Sequence, residues 1–268
     1  MRRAIFSRLA LTAITIASFV VIAPPTAVAD RARFEVDSKP MELYAASVPY
    51  ALSIPAPNLY RFEVHQDDFG FSGDSKNAKR RSEFVSKGER YGAGSTLWTS
   101  FSFVVGPARE PFNGGSKQNI IHQWHSVDTT KKNRAPVVRV ELIDGNLEIR
   151  TESDQKIKGG PQSVVRYRAM RPTDGLVHNL VISGRLGRDG HLNAWLDGNQ
   201  IVSADAPIGY YEDDNGKAAL AYPHWGLYQT NVKDPSVIYL ANLEWGTDSL
   251  SHRIKSPRPV KKPEDGWK

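Results

Sequence analysis

Apolar side chains recur along this chain with a period of two rather than 3.6. Ser100-Phe101-Ser102-Phe103-Val104-Val105, Val137-Val138-Arg139-Val140-Glu141-Leu142 and His178-Asn179-Leu180-Val181-Ile182-Ser183 are rich in β-branched and aromatic residues, so each is predicted as a strand. Turn-forming runs punctuate them: Asp144-Gly145-Asn146, Gly159-Gly160-Pro161, Asp189-Gly190 and Asp197-Gly198. No amphipathic helix of useful length emerges. Many short strands with frequent turns point to a β-sandwich.

The strand-rich pattern defines one domain over residues 58–250. Residues 30–57 mix Pro, Ala and Ser and read as an N-terminal segment along a sheet edge. Residues 251–268 contain Ser256-Pro257-Arg258-Pro259-Val260-Lys261-Lys262-Pro263, a basic proline-rich tail expected to be solvated and mobile. The other end reads as an export signal. Arg2, Arg3 and Arg8 precede a mostly apolar run from Leu9 to Ile22, and Ala27-Val28-Ala29 offers a small-x-small cleavage pattern. That run is short for a spanning helix. The expectation is a signal peptide over residues 1–29, a periplasmic or secreted mature protein, and no stable membrane insertion once the signal is removed.

Charge and cysteine content narrow the function. The chain has 35 basic and 29 acidic residues; the signal carries three of the bases and no acid, leaving 32 against 29. So mild an excess does not suit nucleic acid, which asks for a concentrated basic face, but it suits a polyanion groove fed by local Arg and Lys. There is no cysteine, so in an oxidising compartment the fold rests on its own core. A mature chain of this length supplies one large core as a monomer.

Three segments place reactive side chains on alternate, and therefore co-facial, strand positions. In Arg81-Ser82-Glu83, an arginine held by a carboxylate is suited to a planar anion; an ordinary ion pair is the plain alternative. In His122-Gln123-Trp124-His125, Gln123 and His125 share one face, while His122 shares the other with Trp124 and reads as a core histidine. Two histidines that diverge make a poor zinc pair, and no metal is assigned. In Tyr222-Pro223-His224-Trp225-Gly226-Leu227-Tyr228, the residues Tyr222, His224, Gly226 and Tyr228 face one way, with Gly226 leaving room above the backbone for a ligand. Aromatic core packing around a glycine bulge is the plain alternative, and Trp225, of opposite parity, reads as core.

Taken in order, these segments resemble the motifs of the jelly-roll polysaccharide lyases: the alginate lyases with R-x-E, Q-x-H and Y-F-K-x-G-x-Y, and the related glucuronan and heparin lyases. Tyr60-Arg61-Phe62-Glu63-Val64, Leu97-Trp98-Thr99-Ser100-Phe101-Ser102-Phe103 and Gly190-His191-Leu192-Asn193-Ala194-Trp195-Leu196-Asp197-Gly198 extend the likeness to the glucuronan and heparin branch. The resemblance spans roughly residues 58 to 247. It departs in the third motif, where His224 stands for the usual lysine and Pro223 for an aromatic. It implies a β-jelly roll, a concanavalin A-like sandwich of two antiparallel sheets with a concave groove. It also implies β-elimination on a uronic-acid-containing anionic polysaccharide, leaving a 4,5-unsaturated uronate. Arg81 and Gln123 would neutralise the substrate carboxylate as charge develops on it. Tyr228 would protonate the leaving oxygen, and either Tyr228 or His125 would take the C5 proton. Glu83, Arg139, His224 and Tyr222 would line the substrate path. No cofactor is expected; sandwiches of this type can hold a structural calcium, but no acidic loop here is specific enough to assign one.

Two rivals remain. A glycoside hydrolase needs two flanking carboxyl groups; Glu141-Leu142-Ile143-Asp144 has the wrong spacing and Glu212-Asp213-Asp214 reads as a polar loop. A non-catalytic carbohydrate-binding sandwich shares the fold without the chemistry.

Overall fold

The alternating segments become strands that stack as two antiparallel sheets. The computed structural model describes residues 31–70, 72–76, 78–105, 112, 118–127, 133–157, 160–172, 175–210, 219–230, 232 and 235–263. The expected signal segment, Gly159, the acidic run at 212–214 and the last five residues lie outside them. In chain order come β1 (Arg33–Val36), β2 (Lys39–Ala45), β3 (Leu52–Ala56), β4 (Leu59–Val64), α1 (Ser72–Lys76), β5 (Lys79–Ser86), β6 (Thr96–Val105), β7 (Asn119–Val127) and β8 (Asn133–Ile143). They are followed by β9 (Asn146–Ile157), β10 (Gly160–Met170), β11 (His178–Arg185), β12 (His191–Leu196), β13 (Asn199–Asp205), β14 (Leu220–Thr230), β15 (Ser236–Gly246) and α2 (His252–Lys255).

One sheet runs β1-β2-β5-β14-β7-β8-β9-β10, the other β13-β12-β11-β6-β15-β4-β3. The order interleaves distant strands, as a jelly roll does, and among the described residues helix is confined to two short turns. The turn chemistry holds at two hairpins. Asp144 and Gly145 (φ 49° and 75°), and Asp197 and Gly198 (φ 50° and 79°), take the left-handed pair that a right-twisted two-residue hairpin requires.

Between the sheets lie Phe62, Phe84, Phe101, Phe103, Trp124 and Trp225, each at most 1 % exposed. Burying each such side chain contributes about 1.5–3 kcal/mol. Trp225 is core, as its parity predicts. His122 is core too, with Nδ1 against the His224 carbonyl at 2.7 Å and Nε2 against Thr99 Oγ1 at 3.1 Å.

The C-terminal segment is not the free tail expected from its composition. Asn242 Nδ2 donates to the Arg258 and Pro259 carbonyls at 2.9 and 3.3 Å. Arg258 pairs with Glu244 at 2.8 Å and with Asp37 at 3.0 Å, and Val260 packs on the outward apolar cluster of Leu59, Val104 and Tyr239. Proline blocks strand pairing, so the segment is held through side chains that the sheet extends to its carbonyls.

Candidate active site

Outward-facing side chains of the eight-stranded sheet line a groove of about 530 Å³. Strand register decides who meets whom. His224 lies opposite Gln123, and Tyr222 opposite His125, across β14 and β7. Tyr228 lies opposite Arg81, and Gly226 opposite Glu83, across β14 and β5; Gln123 lies opposite Arg139 across β7 and β8. All eight residues selected from the sequence, Arg81, Glu83, Gln123, His125, Arg139, Tyr222, His224 and Tyr228, line this one groove.

Pro223 fits a strand with neighbours on both sides because β5 pairs with β14 only from His224 onward. Its missing N–H falls where that ladder has ended. Gly226 corrects an expectation. Its φ is +139°, and a Cβ there would sit 2.2 Å from the Ser82 carbonyl oxygen and 2.6 Å from Glu83 Cα. The room it leaves is taken by β5, not by a ligand.

Glu83 ties the centre together. It is 2 % exposed, accepts Gln123 Nε2 at 2.9 Å, pairs with Arg81 Nη1 at 3.1 Å and lies 3.3 Å from His224 Nδ1. Burial pushes its pKa up, but His224, Arg81 and the Gln123 hydrogen bond outweigh that and hold it at about 2. Arg81 carries a second clamp that the sequence did not announce: Asp74 of α1 accepts from Nε at 2.7 Å and Nη2 at 2.6 Å. Burial opposes its charge, yet Glu83 and Asp74 keep its pKa above the ordinary arginine value. The expected bidentate face of Arg81 is thus already engaged by Asp74, and the guanidinium stands 4.8 Å from the Tyr228 ring centroid.

The two acid–base candidates differ in environment. His125 packs parallel to His224, with ring centroids 5.0 Å apart and planes 7° off. Burial, with His224 adding to it, lowers its pKa to about 3, so the ring is neutral at physiological pH. Its buried Nδ1 has no hydrogen-bond partner, and neither does Nε2 of His224, whose Nδ1 lies beside Glu83. Burial instead raises the Tyr228 pKa, against Lys79 and Arg81, so its phenol keeps its proton. Arg139 reaches Ser163 Oγ at 2.8 Å and Glu152 at 3.3 Å.

Sequence reading missed part of the lining. Arg31, Tyr44, Lys79 and Arg134 also face the groove, Arg31 Nη1 donates to Tyr44 Oη at 2.8 Å, and Arg90 lies 3.5 Å from the Tyr222 ring centroid. Strand alternation could have flagged Lys79, two before Arg81; the others depend on long-range pairing. Among the described residues no cluster of His, Asp and Glu could hold a metal ion, and no helix is long and apolar enough to cross a membrane.

The fold is a jelly-roll sandwich with histidine, tyrosine and arginine side chains along one open sheet. The chain belongs to the polysaccharide lyase family, whose model matches residues 55–244, and it is a polysaccharide lyase. Similar solved structures include the endo-β-1,4-glucuronan lyase of the fungus Trichoderma reesei (13 % identity, TM-score 0.56, covering 81 % of this chain and 90 % of that one). The alginate lyase A1-II′, of polysaccharide lyase family 7, matches with 16 % identity and TM-score 0.56, over 76 % and 86 %. Alginate lyase AlyC3 matches with 18 % identity and TM-score 0.50, over 74 % and 79 %. Identities this low establish the shared fold. No curated protein matches this sequence.

Proposed function

We propose that this chain is an exported enzyme that cleaves a uronate polymer by β-elimination, with His125 as base and Tyr228 as acid. The observation that carries the assignment is the opposite effect of burial on the two groups. It leaves His125 without a proton at rest and Tyr228 with one, on the same groove face.

The base removes the proton at C5, beside the substrate carboxylate. The C4–C5 double bond forms, the C4–O4 bond breaks, and O4 takes the Tyr228 proton. Charge gathers on an already anionic carboxylate, so donors fixed before the reaction lower the barrier most. Gln123, oriented by Glu83, and Arg81, oriented by Asp74 and Glu83, are such donors, and His224, with Nδ1 beside Glu83, turns Nε2 away from any protein partner. Hydrolysis is the weaker reading. Glu83 is the one carboxylate among the described groove-lining residues, and it is ionised and tied down, whereas a glycosidase needs two carboxyl groups with separate roles. Export rests on the basic, then apolar, then small-x-small start of the chain.

The test is ultraviolet absorbance of purified protein with glucuronan, polymannuronate, polyguluronate, heparin, heparan sulfate and hyaluronan in turn. Rising absorbance marks the unsaturated uronate and names the polymer. New reducing ends without absorbance would mean hydrolysis and refute elimination.

A further inference from the structure

The seven-stranded sheet carries a feature that the groove chemistry does not use. Trp98 on β6 and Trp195 on β12 face outward on the side of the sandwich opposite the groove; their neighbours Leu97, Leu192 and Ala194 point into the core. β11 runs between the two strands, and the indoles converge over it, with ring centroids 6.0 Å apart and planes parallel to within 4°. Val181 lies opposite both Ser100 and Trp195, so it faces outward with them. Yet it is fully buried and outside the main core cluster, as a residue roofed by the two rings would be. The rings themselves stay partly exposed.

Beside this pair lies an ordered row of polar side chains. Asp205 meets His191 Nδ1 at 2.6 Å, His191 Nε2 meets Asn193 Oδ1 at 3.1 Å, and Gln200 Nε2 donates to the same oxygen at 3.1 Å. Gln200 is paired with Trp195 and Ser203 with Asn193 on the adjoining strand, and both are exposed. A surface apolar pair of purely structural use has no need of amides fixed in one orientation at its rim. A pyranose ring needs both: its C–H face lies against an aromatic face, attracted by the negative ring quadrupole, and its hydroxyls need planar donors and acceptors at the edge.

We propose that Trp98 and Trp195, with Asn193 and Gln200, form a second saccharide-binding site, which holds a pyranose segment of the polymer on the face opposite the groove. The identity of that polymer rests on the reading of the groove given above. Tethering to the chain raises the local concentration of cleavable bonds at the groove without any new catalytic contact.

The test casts each polymer of the absorbance panel into native gels and compares the wild type with Trp98→Ala/Trp195→Ala. The double variant is expected to bind the retarding polymer roughly tenfold more weakly, while its kcat/KM on a trisaccharide of the same polymer stays at the wild-type value. Should the indoles be needed for folding, Asn193→Ala/Gln200→Ala keeps both rings and is expected to weaken retardation in the same direction. Wild-type protein that no polymer retards, equal retardation of wild type and variants, or parallel loss of trisaccharide cleavage each overturns the proposal. Absence of absorbance with every polymer would instead refute the groove chemistry, and retardation, which involves no bond cleavage, would still decide the second site.

Discussion

Glu83 reaches across an entire strand to meet Gln123. The two residues stand on β5 and β7, with β14 between them, yet Gln123 Nε2 donates to Glu83 Oε2 at 2.9 Å. The strand they bridge carries Gly226 opposite Glu83. With no side chain there, β5 comes close and the carboxylate passes over β14 unobstructed. One buried anion thereby orients groups from three strands: Arg81 on β5, His224 on β14 and Gln123 on β7.

Neutralising that anion should loosen all three. In Glu83→Gln, Arg81 keeps Asp74, but one side of a buried ion pair is lost. The expected cost is about 3 kcal/mol, the lower end for such pairs, with lyase turnover falling as well. Urea unfolding and the absorbance assay measure the two effects; an unchanged urea midpoint would remove Glu83 from its central place.

Gly226→Ala tests the close approach itself. The backbone at φ +139° strains any side chain, and the new Cβ would meet the Ser82 carbonyl oxygen. Backbone strain alone costs about 1–3 kcal/mol, and the steric clash adds to it. The variant should unfold at clearly lower urea and lose activity through displacement of Glu83. A stability equal to wild type would mean that β5 does not press on this position.

What the sequence disclosed about the site follows from what alternation can encode. Parity put Gln123 with His125, and Tyr222 with His224 and Tyr228, on one face, and sent His122 and Trp225 into the core. Parity says nothing about which strands become neighbours. Tyr44 reaches the groove only because β2 pairs with β5, placing Tyr44 opposite Glu83. Asp74 comes from a five-residue helix with no periodic signal of its own. The Gly226 expectation failed for a related reason: a glycine marks close approach, but only the register names what approaches. The proline-rich end misled because its partners, Asn242 and Glu244, lie in a strand whose outward face gives no hint of them.

The acid–base assignment separates Tyr228→Phe from His125→Asn. General acid or base catalysis contributes roughly 10²–10⁴-fold, so each variant should lose about that much turnover on the cleaved polymer. Tyr228→Phe keeps the ring beside Arg81 and should fold with a near wild-type urea midpoint. Full activity in both folded variants would reject the assignment.

The protein should be labile to acid, and the burial of two histidines gives the reason. His122 and His125 each have a folded pKa of about 3, below the ordinary histidine value of about 6.5. As pH falls below that value the unfolded chain takes up protons that the folded chain refuses, so stability falls with pH between about 6.5 and 3. Each ring contributes about 1.4 kcal/mol per pH unit in that window and nothing above it. Glu83 acts in the same direction lower down: its pKa of about 2 lies below the ordinary value of 4.5, so its stabilisation is complete above pH 4.5 and lost as pH falls towards 2. Urea midpoints measured from pH 7.5 to 4.5 should therefore be flat at first and then decline steeply below about 6.5. His122→Gln removes one titrating ring without opening the core, so its decline should be shallower by one proton even though it starts less stable at neutral pH, having lost the fit to Thr99 and the His224 carbonyl. A wild-type profile that stays flat down to pH 4.5 would show that these rings are reached by water and titrate near the ordinary histidine value, removing buried histidine as the source of acid lability.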